Sequence, residues 1–158
     1  MPEFRIRDLR HMAVLGQALA ACLREEPSLR CILLRGDLGS GKTTLTRFLV
    51  EALPGGDRAE ISSPSFTLCN VYPTTPPVCH CHLYRTGSAV PDEFSEILDA
   101  GAMAVVVEWA ESLPVAQLPQ DFLDIRLQLC DDYRIVRVAI HSPNSARLAF
   151  LLQAAQSL

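Results

Sequence analysis

Apolar residues recur along the chain in two rhythms, and the switches between them predict an ordered series of strands and helices. Phe4 and Ile6 alternate with charged neighbours, which predicts a short opening strand. Asp8 then offers an N-cap. Leu9, Met12, Leu15, Leu19 and Leu23 fall three or four apart, so the run to about Arg24 reads as a helix with these residues on one core-facing stripe. Cys31 to Leu34 is a short unbroken apolar run ending at Gly36, as in a strand buried on both faces. After glycines at 36, 39 and 41, a second helix is expected from about Lys42 to Leu53, stopped by Pro54-Gly55-Gly56.

The segment from Ser62 to Pro77 is rich in Ser, Thr and Pro, with a β-like interlude from Phe66 to Tyr72. Val78 to Leu83 reads as a strand, Pro91 to Leu98 as a short helix, and Val105 to Val107 as a second buried strand. Phe122 to Leu129 and Ile135 to Ile140 alternate around Asp131-Asp132-Tyr133, the pattern of an antiparallel hairpin. A last helix is expected from Pro143 or Asn144 towards Leu158. No internal repeat interrupts this order, so residues 1–158 are expected to form a single α/β domain.

Composition narrows the function classes. The chain has 158 residues, 49% of them apolar and 20% charged, which supports a real core and excludes intrinsic disorder. Its net charge of −4 argues against binding DNA or RNA unaided. No apolar run approaches the ~20 residues needed to span a bilayer. The N-terminus, MPEFRIRDLR, carries charges where a signal peptide needs its apolar core. A cytoplasmic location is therefore expected, and with it six free thiols at Cys22, Cys31, Cys69, Cys79, Cys81 and Cys130.

The chemistry concentrates at Gly36-Asp37-Leu38-Gly39-Ser40-Gly41-Lys42-Thr43, which satisfies G-x-x-x-x-G-K-[ST] between a buried strand and an amphipathic helix. In that context the glycines let several backbone N–H groups face one anion, and the helix start adds its positive end. Lys42 is placed for the β- and γ-phosphates of a nucleoside triphosphate, and Thr43 for Mg²⁺. A carboxylate directly after three valines is costly to bury unless it is paired or on a metal, so Glu108 is the candidate acid of the metal site. Trp109, the only tryptophan, reads as a packing aromatic beside it. Ser63-Pro64-Ser65-Phe66-Thr67 supplies hydroxyls for a loop that responds to the γ-phosphate. Cys79-His80-Cys81-His82 invites a zinc reading, but on a strand the cysteines and histidines point to opposite faces, which favours buried cysteines.

The succession GDLGSGKTT, SPSFTL, H-x-x-LYR and VEW resembles the TsaE (formerly YjeE) family, the small P-loop ATPases of bacterial tRNA threonylcarbamoyladenosine synthesis. The resemblance covers the chain from Asp8 to about His141. It implies a P-loop NTPase-like three-layer α/β domain, its mixed sheet having parallel central strands and an antiparallel C-terminal hairpin. It also implies an ATPase using ATP/ADP and Mg²⁺, in which Lys42, Glu108 and Thr67 are catalytic. Gly39, Ser40, Gly41, Lys42, Thr43 and Thr44 would hold phosphates, while Thr43 and Glu108 would hold the metal. Asp8, with Tyr133 or Arg134, would flank base and ribose. The implied partner is a TsaB–TsaD heterodimer that threonylcarbamoylates adenosine 37 of tRNAs reading codons that begin with A. Hydrolysis would reset that complex, with tRNA contacted only through it and with neither DNA nor membrane involved. One position departs from the motif: the family usually has Asp before Leu-Tyr-Arg, and this chain has His82. That change keeps open a nucleotide-sensing module without turnover. A small-molecule P-loop kinase is the other alternative, although no arginine-rich lid segment follows the loop.

Overall fold

The computed structural model describes residues 1–60, 69–83 and 92–156. In chain order the elements are β1 (Glu3–Ile6), α1 (Leu9–Glu25), β2 (Cys31–Arg35), α2 (Lys42–Glu51), β3 (Cys69–Tyr72) and β4 (Val78–His82). They continue with α3 (Asp92–Ala100), β5 (Ala104–Glu108), β6 (Phe122–Leu129), β7 (Arg134–His141) and α4 (Ser145–Gln153). The strands form one sheet in the order β1-β7-β6-β2-β5-β4-β3. Four consecutive strands, β6, β2, β5 and β4, run parallel to one another. The β6–β7 hairpin, β1 beside it and β3 at the far edge are antiparallel. The expected mixed sheet is therefore present.

Burial on both faces explains why β2 and β5 are apolar without alternation. On one face, Ile32, Leu34 and Val106 pack under α1, α2 and α4, with Leu15, Leu19 and Leu49 among the fully buried side chains. On the other, Cys31, Leu33, Val105 and Val107 meet Phe94 of α3 and the turns after β5. The result is three layers. Asp8 caps α1 as its sequence position suggests, its carboxylate accepting from the His11 N–H at 3.0 Å. Helices α1 and α2 approach closely at Gly16, where a Cβ would lie 2.6 Å from Phe48 Cβ.

Three expectations need correction. Leu9 is not on the core stripe: it lies in the first turn of α1 and is 61% exposed, so the buried face begins at Met12. Helix α2 stops at Glu51, two residues short of the expected end at Leu53. The cysteines are not all free, because Cys69 and Cys81 form a disulfide. The antiparallel β3–β4 register sets these two directly opposite, with Cα atoms 4.2 Å apart. Cys22, Cys31, Cys79 and Cys130 are thiols, and burial pushes Cys31 up to about 12. As the alternation of β4 requires, Cys79 and Cys81 enter the α3-side core while His80 and His82 face the start of α2. Among the described residues, no helix is long and apolar enough to cross a membrane.

Candidate functional site

Strands β2 and β5 end side by side, their parallel register placing Leu34 opposite Glu108. The chain leaving β2 turns back at Gly41 to start α2. Gly41 has φ +105°, and a Cβ there would meet Met12 Cε at 3.1 Å, so the turn suits glycine alone. No side chain caps α2. Its first-turn amides and positive end therefore open on a pocket of about 360 Å³, an arrangement that binds anions. Gly39, Gly41, Lys42, Thr43 and Thr44 line this pocket. Glu108, Trp109, His82 and Arg134 also line it.

Lys42 is the only lysine in the chain and is 5% exposed. Its ammonium donates to the carbonyls of Gly36 (2.6 Å) and Asp37 (2.9 Å) and lies 4.0 Å from the centre of the Trp109 ring. Burial pushes its pKa below the ordinary 10.5, against the opposing pull of Glu108, Glu111 and Asp37. Trp109 reaches this position from a left-handed backbone (φ +59°), rare for a bulky residue and costing about 1–3 kcal/mol. Its indole N–H donates to His82 Nε2 at 3.1 Å. That bond makes Nε2 an acceptor and puts the proton of the neutral ring on Nδ1. Burial lowers the His82 pKa below 6.5; His80 and Lys42 add to the effect and Glu108 opposes it.

Glu108 is 1% exposed, and its partners account for how it stays in the core. Thr43 Oγ1 lies 2.9 and 3.1 Å from its two oxygens, and His80 Nε2 lies 2.7 Å from Oε1. Thr43 and Glu108 together offer oxygen ligands only, the donor set of a hard cation such as Mg²⁺. Arg134 Nε donates to the Ser40 carbonyl at 2.9 Å, tying the hairpin to the loop.

The structure thus brings together Gly39, Gly41, Lys42, Thr43, Thr44 and Glu108 around one pocket, with Ser40 buried beneath it. Asp8 lines a smaller adjoining recess with Leu9 and Met12, which shares Gly41, Thr44 and Arg134 with the main pocket. Tyr133 lines neither; its ring lies 3.9 Å from the Arg5 guanidinium, and its neighbour Arg134 takes the position at the loop. Thr67 and the rest of Ser63-Pro64-Ser65-Phe66 lie outside the described residues. Sequence reasoning gave no role to His80 or to Glu111, whose carboxylate accepts from the Gly36 N–H at 3.2 Å. Strand alternation put His80 on the same face as His82, but only the β4–β5 pairing brings that face to Glu108.

Comparison with known proteins gives a consistent result. The family model described as threonylcarbamoyl adenosine biosynthesis protein TsaE matches residues 6–136. A Streptomyces coelicolor protein named tRNA threonylcarbamoyladenosine biosynthesis protein TsaE is 38% identical over 73% of this chain and 78% of its own. A Synechocystis protein of the same name is 39% identical over 74% of each chain. The crystal structure of Bacillus subtilis YdiB superposes with a TM-score of 0.72 at 25% identity, covering 96% of this chain and 93% of that one. A family match over most of the chain, together with these relatives, shows that the chain belongs to the TsaE family.

Proposed function

We propose that this protein binds ATP with Mg²⁺ and hydrolyses it as the energy-supplying subunit of tRNA threonylcarbamoyladenosine synthesis in the cytoplasm. The observation that carries the reading is the buried Glu108 carboxylate on the Thr43 hydroxyl, one residue beyond the loop lysine. In that role Lys42 exchanges the carbonyls of Gly36 and Asp37 for phosphate oxygens, and the first-turn amides of α2 hold the phosphate chain. Thr43 and Glu108 hold the cation, which neutralises charge developing on the phosphates. Arg134 steadies the loop through Ser40. Leu9 and Leu38, both largely exposed at the rims of the two recesses, offer apolar surface to the base, with Asp8 beside the ribose.

The relatives' names support the pathway, and the family resemblance supports the partner. Hydrolysis resets a TsaB–TsaD-type heterodimer between rounds of threonylcarbamoyl transfer to adenosine 37. Thr67 belongs to the segment that senses the γ-phosphate. The deciding measurement is steady-state ATP hydrolysis by the chain alone and with such partners plus tRNA, with Lys42→Ala as control. Slow turnover that rises with partners and disappears in the control is expected. ATP binding without turnover in either condition would replace this reading with a nucleotide sensor, for which the neutral His82 at the usual position of an acid is the specific argument.

A further inference from the structure

Glu108 has two histidine neighbours, and they do different things. His82 Nε2 stands 3.8 Å from Glu108 Oε2, beyond hydrogen-bond distance, and accepts from Trp109 instead. His80 is wholly buried, and its Nε2 lies 2.7 Å from Glu108 Oε1. An ionised carboxylate only accepts, so His80 Nε2 carries a proton and donates it to this bond. Its other nitrogen, Nδ1, faces the Tyr72 hydroxyl at 3.3 Å, and Tyr72 is itself buried. The sheet makes the arrangement rigid. β3 presents Tyr72 and the central β4 presents His80, while the parallel β4–β5 register puts His80 opposite Val106, two residues before Glu108 on the same face.

We propose that His80 is a positioning residue, held by Tyr72, that fixes the rotation of the Glu108 carboxylate so that it faces Thr43 and the cation. The proposal rests on the Mg²⁺–nucleotide reading above and assigns His80 no contact with the nucleotide. A carboxylate has about four acceptor positions, and a side chain free to turn presents them in several orientations. The bond to His80 occupies one position on Oε1, while Thr43 Oγ1 lies within hydrogen-bond distance of both oxygens of this pocket-lining carboxylate. Imidazole–carboxylate pairs of this kind around metal ligands are worth about 10–100-fold in metal affinity. A burial role alone makes a different forecast: His80 would serve only to satisfy an acid in the core, and its loss would lower stability without singling out the metal.

The test is calorimetric titration of the full chain with ADP and ATP, in EDTA and in excess Mg²⁺. The set comprises wild type, His80→Leu, His80→Gln and Tyr72→Phe, each accompanied by a thermal melt. For His80→Leu the gain in affinity on adding Mg²⁺ is expected to shrink by about 10–100-fold, while the affinity in EDTA stays at the wild-type value. His80→Gln, whose amide N–H replaces the Nε2–H, is expected to recover most of that gain. Tyr72→Phe removes one hydroxyl and reduces the gain by a smaller factor; it decides the matter if His80→Leu does not fold. A wild-type Mg²⁺ gain in folded His80→Leu, or in Tyr72→Phe when His80→Leu does not fold, would overturn the proposal. So would equal losses with and without Mg²⁺. A wild-type chain that binds no nucleotide, or binds it without any Mg²⁺ effect, would instead sink the nucleotide reading itself, and this inference with it.

Discussion

His82 stands where the TsaE motif usually has an aspartate, and the indole N–H it accepts makes it a neutral acceptor there. Its protonation is coupled to folding. Burial is the largest cause of its lowered pKa, so as pH falls the unfolded chain takes up the proton before the folded one does. The unfolded state then binds more protons, and stability falls with pH from about the ordinary value of 6.5 downward. Protonated Nε2 also can no longer accept from Trp109, which loosens the indole that lies over Lys42. Urea unfolding at pH 7.5 and 5.5 should show a smaller drop in midpoint for His82→Gln than for wild type. Equal drops would remove His82 from the account.

At the scale of elements, the proposed function depends on how α2 is seated, because its first residues are Lys42 and Thr43. Gly16 allows α1 to touch the backbone of α2: a Cβ there would lie 2.8 Å from the Phe48 carbonyl carbon and 2.9 Å from the Leu49 nitrogen. Alanine would gain about 1 kcal/mol of helix propensity over glycine, yet backbone atoms cannot rotate away, and overpacking costs about 1–3 kcal/mol. Gly16→Val adds further bulk without that gain in propensity, so a loss of about 2 kcal/mol in urea unfolding is expected, with weaker nucleotide binding as α2 shifts. Unchanged stability would mean the helices separate freely. The elements themselves were largely legible, since the stripe Met12–Leu15–Leu19–Leu23 and the run Val105–Val107 each record burial of a local face. Gly36 to Thr43 and Glu108 were legible for the same local reason. Pairings between distant strands were not. Nothing within Val78–His82 records that β3 lies antiparallel on one side and β5 parallel on the other. The Cys69–Cys81 bond and the His80–Glu108 contact both follow from those neighbours.

For the molecule as a whole, charge bears on how the chain meets tRNA. It carries 14 Lys and Arg against 18 Asp and Glu, and much of the positive charge is already engaged. Arg35 pairs with Asp124 at 2.8 Å, Arg137 with Glu3 at 2.7 Å, and Arg147 and Arg47 lie within 4 Å of Glu25 and Glu51. Arg134 is bound to the loop and Lys42 lies in the pocket. A protein that holds RNA by itself neutralises several phosphates with free cations, and that binding weakens steeply with salt. Arg5 lies against the Tyr133 ring, while Arg7, Arg10, Arg24, Arg58 and Arg126 are exposed, so the case against unaided RNA binding rests on the net charge of −4 and on the pairing of about half the cations. In a gel-shift titration at about 0.15 M salt, the chain alone should therefore leave tRNA unshifted, with or without Mg²⁺–ATP, and join a tRNA complex only when a TsaB–TsaD-type partner is added. Tight binding of tRNA by the chain alone at that salt would show that it recognises RNA directly, and the proposed division of labour would have to be abandoned.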